Sequence, residues 1–215
     1  MQVENTERSW GAVQQLLHWT IATMVIAQLI VGDIIWLSPE GSTPALTSYA
    51  HPTVGILIGL FMLGRLVWRE TNKVPAVPED IPTGLQALSQ ATHYAFYFLL
   101  ICNPIIGYLL LGAFGGHSHF FTALLPNAIG KSAFYSSFYF WMHLAFGGAI
   151  GGLFLLHAGA ALRHELTLGD NVLRRMLGFL PMTAERQAVQ DDPATVDRAR
   201  APRGALAARL SRSSR

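Results

Sequence analysis

Four long runs of apolar residues alternate with short polar or proline-containing segments along this chain. They cover about residues 12–36, 49–68, 85–114 and 135–166. About 20 mostly apolar residues suffice to cross a bilayer as a helix, so each run predicts a membrane span. The first is too long for the apolar core of a signal peptide, and no small-residue cleavage site follows it cleanly. Pro52 falls in the first turn of the second span, where an N–H has no helical partner to lose. Pro104 falls in the middle of the third and predicts a kink, which neighbouring helices make tolerable in lipid. The connections are a short loop at 38–48, an extended proline-containing segment at 70–84 and a longer loop at 115–134. After Gly169 the composition shifts to Ala, Arg, Asp and Ser. Residues 179–215 therefore read as a disordered or interfacial tail, with a short amphipathic helix at Ala205–Leu210 as the one candidate element. No internal repeat is visible. The fold class expected is an all-α membrane protein, a four-transmembrane-helix bundle occupying residues 1–178.

Composition supports the membrane class. Only 13% of the 215 residues are charged and 51% are apolar, against about 25% charged in soluble domains. The net charge of +2 says little about partners, and no nucleic-acid partner is expected. A single cysteine, Cys102, excludes internal disulfides, cysteine-clustered iron–sulfur centres and thiolate-built zinc sites. It reads as a small buried hydrophobe. The distribution of lysine and arginine sets the orientation. Arg65, Arg69 and Lys73 flank the middle loop, and Arg163, Arg174 and Arg175 follow the last span. Arg8 precedes the first span, whereas the outer loops carry only Lys131. By the positive-inside rule both termini and the middle loop are cytoplasmic.

The histidines carry the chemistry. Trp141–His164 holds His143, His157 and His164 in a stretch without an acidic residue. Ionisable side chains within a span are expensive and commonly functional. His143 and His157 are 14 residues apart; on a helix they share nearly one face, separated by roughly 21 Å. Ala145, Gly147, Gly148, Gly151 and Gly152 lie between them and predict a small-residue stripe admitting flat, bulky groups. The topology sorts the remaining histidines by depth. His18 and His157 fall toward the cytoplasm, His51 and His143 toward the outside. Two same-level pairs, His18–His157 and His51–His143, can each ligate a haem iron from both sides. The expected cofactors are thus two b haems held without covalent attachment, since no C-x-x-C-H occurs. Two imidazoles alone make a poor zinc or copper site.

Several other residues have two readings each. Arg65 and Arg69 either pair with haem propionates or anchor a helix end. Gly55 and Gly59 either admit a haem or allow close helix packing. His93, Arg163 and His164 either form a quinone site beside the inner haem or are interfacial polar residues. His117 and His119, in the outer loop, are expected to be solvated.

Together these residues resemble the bacterial cytochrome b561 family, related to the b-type cytochrome subunits of nickel–iron hydrogenases. The likeness rests on Leu16–Trp19 (LLHW), His51 with Gly55, Arg65 with Arg69, the pattern from Thr83 to Gly107, and the histidine-rich Trp141–His164. The ending Gly169–Met176 belongs to it as well. The resemblance implies a bacterial inner-membrane oxidoreductase that exchanges electrons with ubiquinone. Some members add superoxide as a donor at the outer face. Two other functions stand beside this one. The first is an electron-transfer subunit docked to a dehydrogenase or hydrogenase as redox partner protein; the second is a membrane protein without a cofactor.

Overall fold

The computed structural model describes residues 3–6, 9–75, 82–168 and 172–177. The expected tail, Ala205–Leu210 within it, and the loop residue Pro78 lie outside the described residues. Helix α1 is Ala12–Leu37. A π-helical turn, Leu46–Ala50, runs into α2, His51–Thr71. Helix α3 is Thr83–Phe114. A two-stranded hairpin follows, β1 His119–Phe120 and β2 Ala123–Leu124, and then α4, Ala133–Arg163. A second π-helical turn, His164–Leu168, precedes α5, Val172–Leu177. Four helical segments are long and apolar enough to cross a membrane: Ala12–Leu37, Leu46–Thr71, Thr83–Phe114 and Ala133–Thr167. The second begins earlier than its hydropathy indicates. The π turn is closed by the His51 N–H donating to the Leu46 carbonyl, and this extends the helix through polar Thr47 and Ser48.

The described residues fall into two compact units, Met1–Ala160 and Ala161–Arg215. In the first, α2 packs closely against both α1 and α3, while α4 approaches none of them as closely along its backbone. The mid-bundle core gathers Ile21 and Val25 from α1, Ile58 and Met62 from α2, Tyr97 and Leu100 from α3, and Ile150 from α4. The outer surface is apolar. Leu16, Leu155 and Leu156 are each at least 70% exposed, as a bundle surrounded by lipid tails requires. Pro104 stays inside one continuous α3. Its ring lies against Gly59, where a Cβ would stand 3.7 Å from the proline Cγ. Gly59 therefore serves close packing of α2 on α3.

Both ends of the bundle are tied by side-chain bonds to backbone. At the start of α1, the Asn5 Oδ1 accepts from the Gly11 N–H and its Nδ2 donates to the Lys73 carbonyl, both at 2.9 Å. One orphan N–H of the helix is thereby satisfied, and the segment before α1 is joined to the end of α2. At the far end, α3 stops at Gly115 in the left-handed region (φ 83°), with the Gly116 N–H donating to the Leu111 carbonyl. Glycine takes that conformation without the Cβ penalty. In the second unit the Arg174 guanidinium meets Glu165 at 2.6 Å.

Candidate functional site

The histidines predicted to pair do come together in the first unit. The rings of His18 and His157 are 6.2 Å apart between centres, with planes at 61°. Those of His51 and His143 are 5.9 Å apart, with planes at 75°. The mid-bundle core separates the two pairs. Neither pair is joined by a hydrogen bond between its rings.

Each histidine is held by the helix geometry around it. His51 opens α2, and its backbone carbonyl accepts from the Gln28 Nε2 at 2.8 Å. Gln28 itself occupies the space beside Gly55, where a Cβ would come 3.4 Å from that nitrogen. Gly55, read from sequence as a haem contact or a packing residue, is thus a packing residue toward α1. His143 Nδ1 is 3.2 Å from the Asn103 carbonyl. That acceptor makes Nδ1 the protonated nitrogen and leaves Nε2 with its lone pair for a metal. Gly107 provides the room, since a Cβ there would meet the His143 Cε1 at 3.0 Å. His18 Nδ1 and His51 Nδ1 are buried with no hydrogen-bond partner.

The predicted small-residue stripe is corrected. Gly148 and Gly152 are exposed, and the one buried residue of α4 is Ile150. At about 100° per residue, positions 148 and 152 rotate away from the face shared by His143 and His157, whereas position 150 stays on it. Gly151 faces Leu29.

The residues fit a bound haem on two counts. A metal–imidazole bond of roughly 2.0–2.1 Å on each side puts the centres of two opposed rings about 6.3 Å apart; both pairs match. Arg65 supplies the second: its Nε is buried without a partner, and the residue lies in electrostatic range of His18, His93 and His157. A buried guanidinium suits a propionate carboxylate.

The remaining predicted residues are placed as follows. Arg69 lies over the Tyr94 ring, 5.4 Å from its centre. His93 sits 5.4 Å from His157, with Nδ1 held at 2.7 Å by the Ser89 carbonyl, so the inner pair has a third imidazole beside it. Arg163 ends α4 and His164 opens the π turn, both in the second unit. His117 is exposed, as expected. His119 corrects the expectation of a solvated residue: it is half-buried, stacked on Tyr49 at 4.3 Å, with Nδ1 3.2 Å from the Ser48 carbonyl. The hairpin carrying it is clasped by the buried Thr53. Its hydroxyl accepts from the Phe121 N–H at 2.9 Å and donates to the His119 carbonyl at 3.4 Å. Sequence reasoning missed Gln28, Asn103, Gly107 and Thr53. The glycine seven residues before the end of α3 and the polar Gln28 within a span were the available signals.

A four-helix membrane bundle with paired imidazoles at two levels defines a b-type cytochrome of the membrane. The match to a family model agrees: prokaryotic cytochrome b561 covers residues 9–179, and the chain belongs to that family. Haem binding and membrane electron transport come with this membership. The chain is 28% identical over 184 residues to the Escherichia coli protein named cytochrome b561 homolog 2, covering 83% of this chain and 96% of that relative. It is 28% identical over 171 residues to a Yersinia pestis protein named probable superoxide oxidase CybB, covering 79% and 96%. It is also 28% identical over 180 residues to the cytochrome b562 of Cereibacter sphaeroides, covering 80% and 96%.

Proposed function

We propose that this chain is a di-haem oxidoreductase of the bacterial inner membrane, with both termini cytoplasmic. In this reading it carries electrons across the bilayer to ubiquinone and takes them from superoxide at the outer face. The observation that carries the reading is the pairing of imidazoles at two levels, 6.2 and 5.9 Å between ring centres.

His18 with His157 and His51 with His143 would hold the two irons. When bound, each haem would supply one-electron exchange. With two imidazoles given to each iron, the chemistry supplied would be electron transfer. The Asn103 carbonyl fixes the His143 ring, Gln28 fixes the start of α2 at His51, and the buried Arg65 would meet a haem propionate at the inner level. His93, its Nδ1–H donating to the Ser89 carbonyl, keeps an Nε2 lone pair that would accept from a quinol hydroxyl. The stoichiometry is two superoxide anions giving two dioxygen molecules and two electrons. Ubiquinone takes those electrons with two protons to become ubiquinol. The name of the Yersinia pestis relative supports superoxide as donor.

The test is a purified haem-loaded preparation given a steady superoxide source and a soluble ubiquinone. Ubiquinol is expected to form in step with superoxide loss. Intact haem spectra with no ubiquinol formed contradict superoxide as the donor.

A further inference from the structure

We infer that the chain itself sets the direction of electron flow, by building the His18–His157 end to hold an electron more tightly than the His51–His143 end. This rests on the two-haem reading above. Two observations carry it, and neither depends on which way the protein lies in the membrane.

The first is the unequal support of the ligands. His143 donates from Nδ1 to the Asn103 carbonyl, whereas His18 Nδ1 has no acceptor. A hydrogen bond from the distal ring nitrogen raises the basicity of the ligating one. It stabilises the more positive, oxidised state of whatever metal the ring holds. In the outer pair His143 has this support from α3 and His51 has none; in the inner pair His18 has none.

The second is a buried charge. Arg65 is 14 residues after His51 on α2, and so lies near the opposite end of the same helix face, roughly 21 Å away. Its Nε is buried without a partner, and it is in electrostatic range of both inner ligands. Arginine keeps its proton in a protein. A fixed positive charge in a medium of low dielectric favours an added electron nearby.

The two effects act in the same sense. They separate the two sites in potential, with the inner site higher.

A redox titration of the purified holoprotein, followed by absorbance, reads this directly. His51→Ala leaves the inner site and His18→Ala the outer, which assigns the two waves. The inner wave is expected at higher potential, favouring electron occupancy there at least tenfold, equivalent to 59 mV for one electron. Arg65→Gln is expected to lower the inner wave and leave the outer one in place. Arg65→Lys, which keeps the charge, holds the inner wave close to its original position. Equal waves, the reverse order, or an inner wave unmoved by Arg65→Gln would overturn the inference. A wild-type protein binding no haem, or only one, would instead refute the reading on which it rests.

Discussion

The ring of His143 occupies the space that a side chain at Gly107 would fill, with Cε1 3.0 Å from the position of such a Cβ. A contact that short is tighter than nearly all real ones, so the ring must give by a few tenths of an ångström. The ring is held by its bond to Asn103, on the turn of α3 preceding Gly107. Gly107→Ala is therefore expected to tilt the ring and weaken that bond. Outer-haem content should fall, while the inner pair, beyond the mid-bundle core, keeps its own. Haem-to-protein ratio with the difference spectrum checks this. An unchanged outer signal would mean the helix shifts freely at this level.

Gln28 gives a second prediction. Its amide reaches from α1 to the His51 carbonyl at 2.8 Å, where the π turn meets α2. A buried hydrogen bond of this kind contributes about 0.5–1.5 kcal/mol. Gln28→Ala should lower the melting temperature by about 2–4 °C per kcal/mol in a chain of this size. It should also speed outer-haem loss to a haem scavenger. Equal loss from both sites would indicate general loosening rather than a role at His51.

The hairpin yields a third. Thr53 is 7% exposed, and its hydroxyl bridges the backbone of His119 and Phe121. Phe121 has φ of 54°, an uncommon conformation for a residue with a side chain, and the bond to Thr53 helps hold it. Thr53→Val removes the bridge and frees the Phe121 N–H, at a cost of about 0.5–1.5 kcal/mol for an ordinary hydrogen bond. Proteolytic cleavage within 115–132 should become faster, with inner-haem absorbance unchanged. A cleavage rate equal to wild type would show that Tyr49 and Ser48 hold the hairpin without Thr53.

Much of the bundle was legible because lipid imposes a simple rule: long apolar runs become helices, and here they do so within a few residues of their hydropathic edges. The His18–His157 and His51–His143 pairings were legible from depth alone, once arginine and lysine had oriented the helices. What the sequence hid depends on rotation and on backbone acceptors. Gly148 and Gly152 looked like part of a haem-facing wall, but the helical angle turns them outward and leaves Ile150 on the histidine face. Asn103 acts through its carbonyl, which any residue there would carry. His119 looked solvated because a loop gives no periodicity, yet Tyr49 and Ser48 of the π turn and Thr53 of α2 hold it. Gly55 kept two readings until Gln28 was seen beside it.

The central claim is that four imidazoles hold two haems, one pair at each level. Haem per chain, measured by reduced-minus-oxidised spectra on purified protein and on His18→Ala, His51→Ala, His143→Ala and His157→Ala, tests it most directly. The account predicts two haems in the wild type and one in each variant. The spectrum left by His18→Ala should match that left by His157→Ala and differ from that left by the other two. A wild-type protein with fewer than two haems, or any variant keeping both, would contradict it.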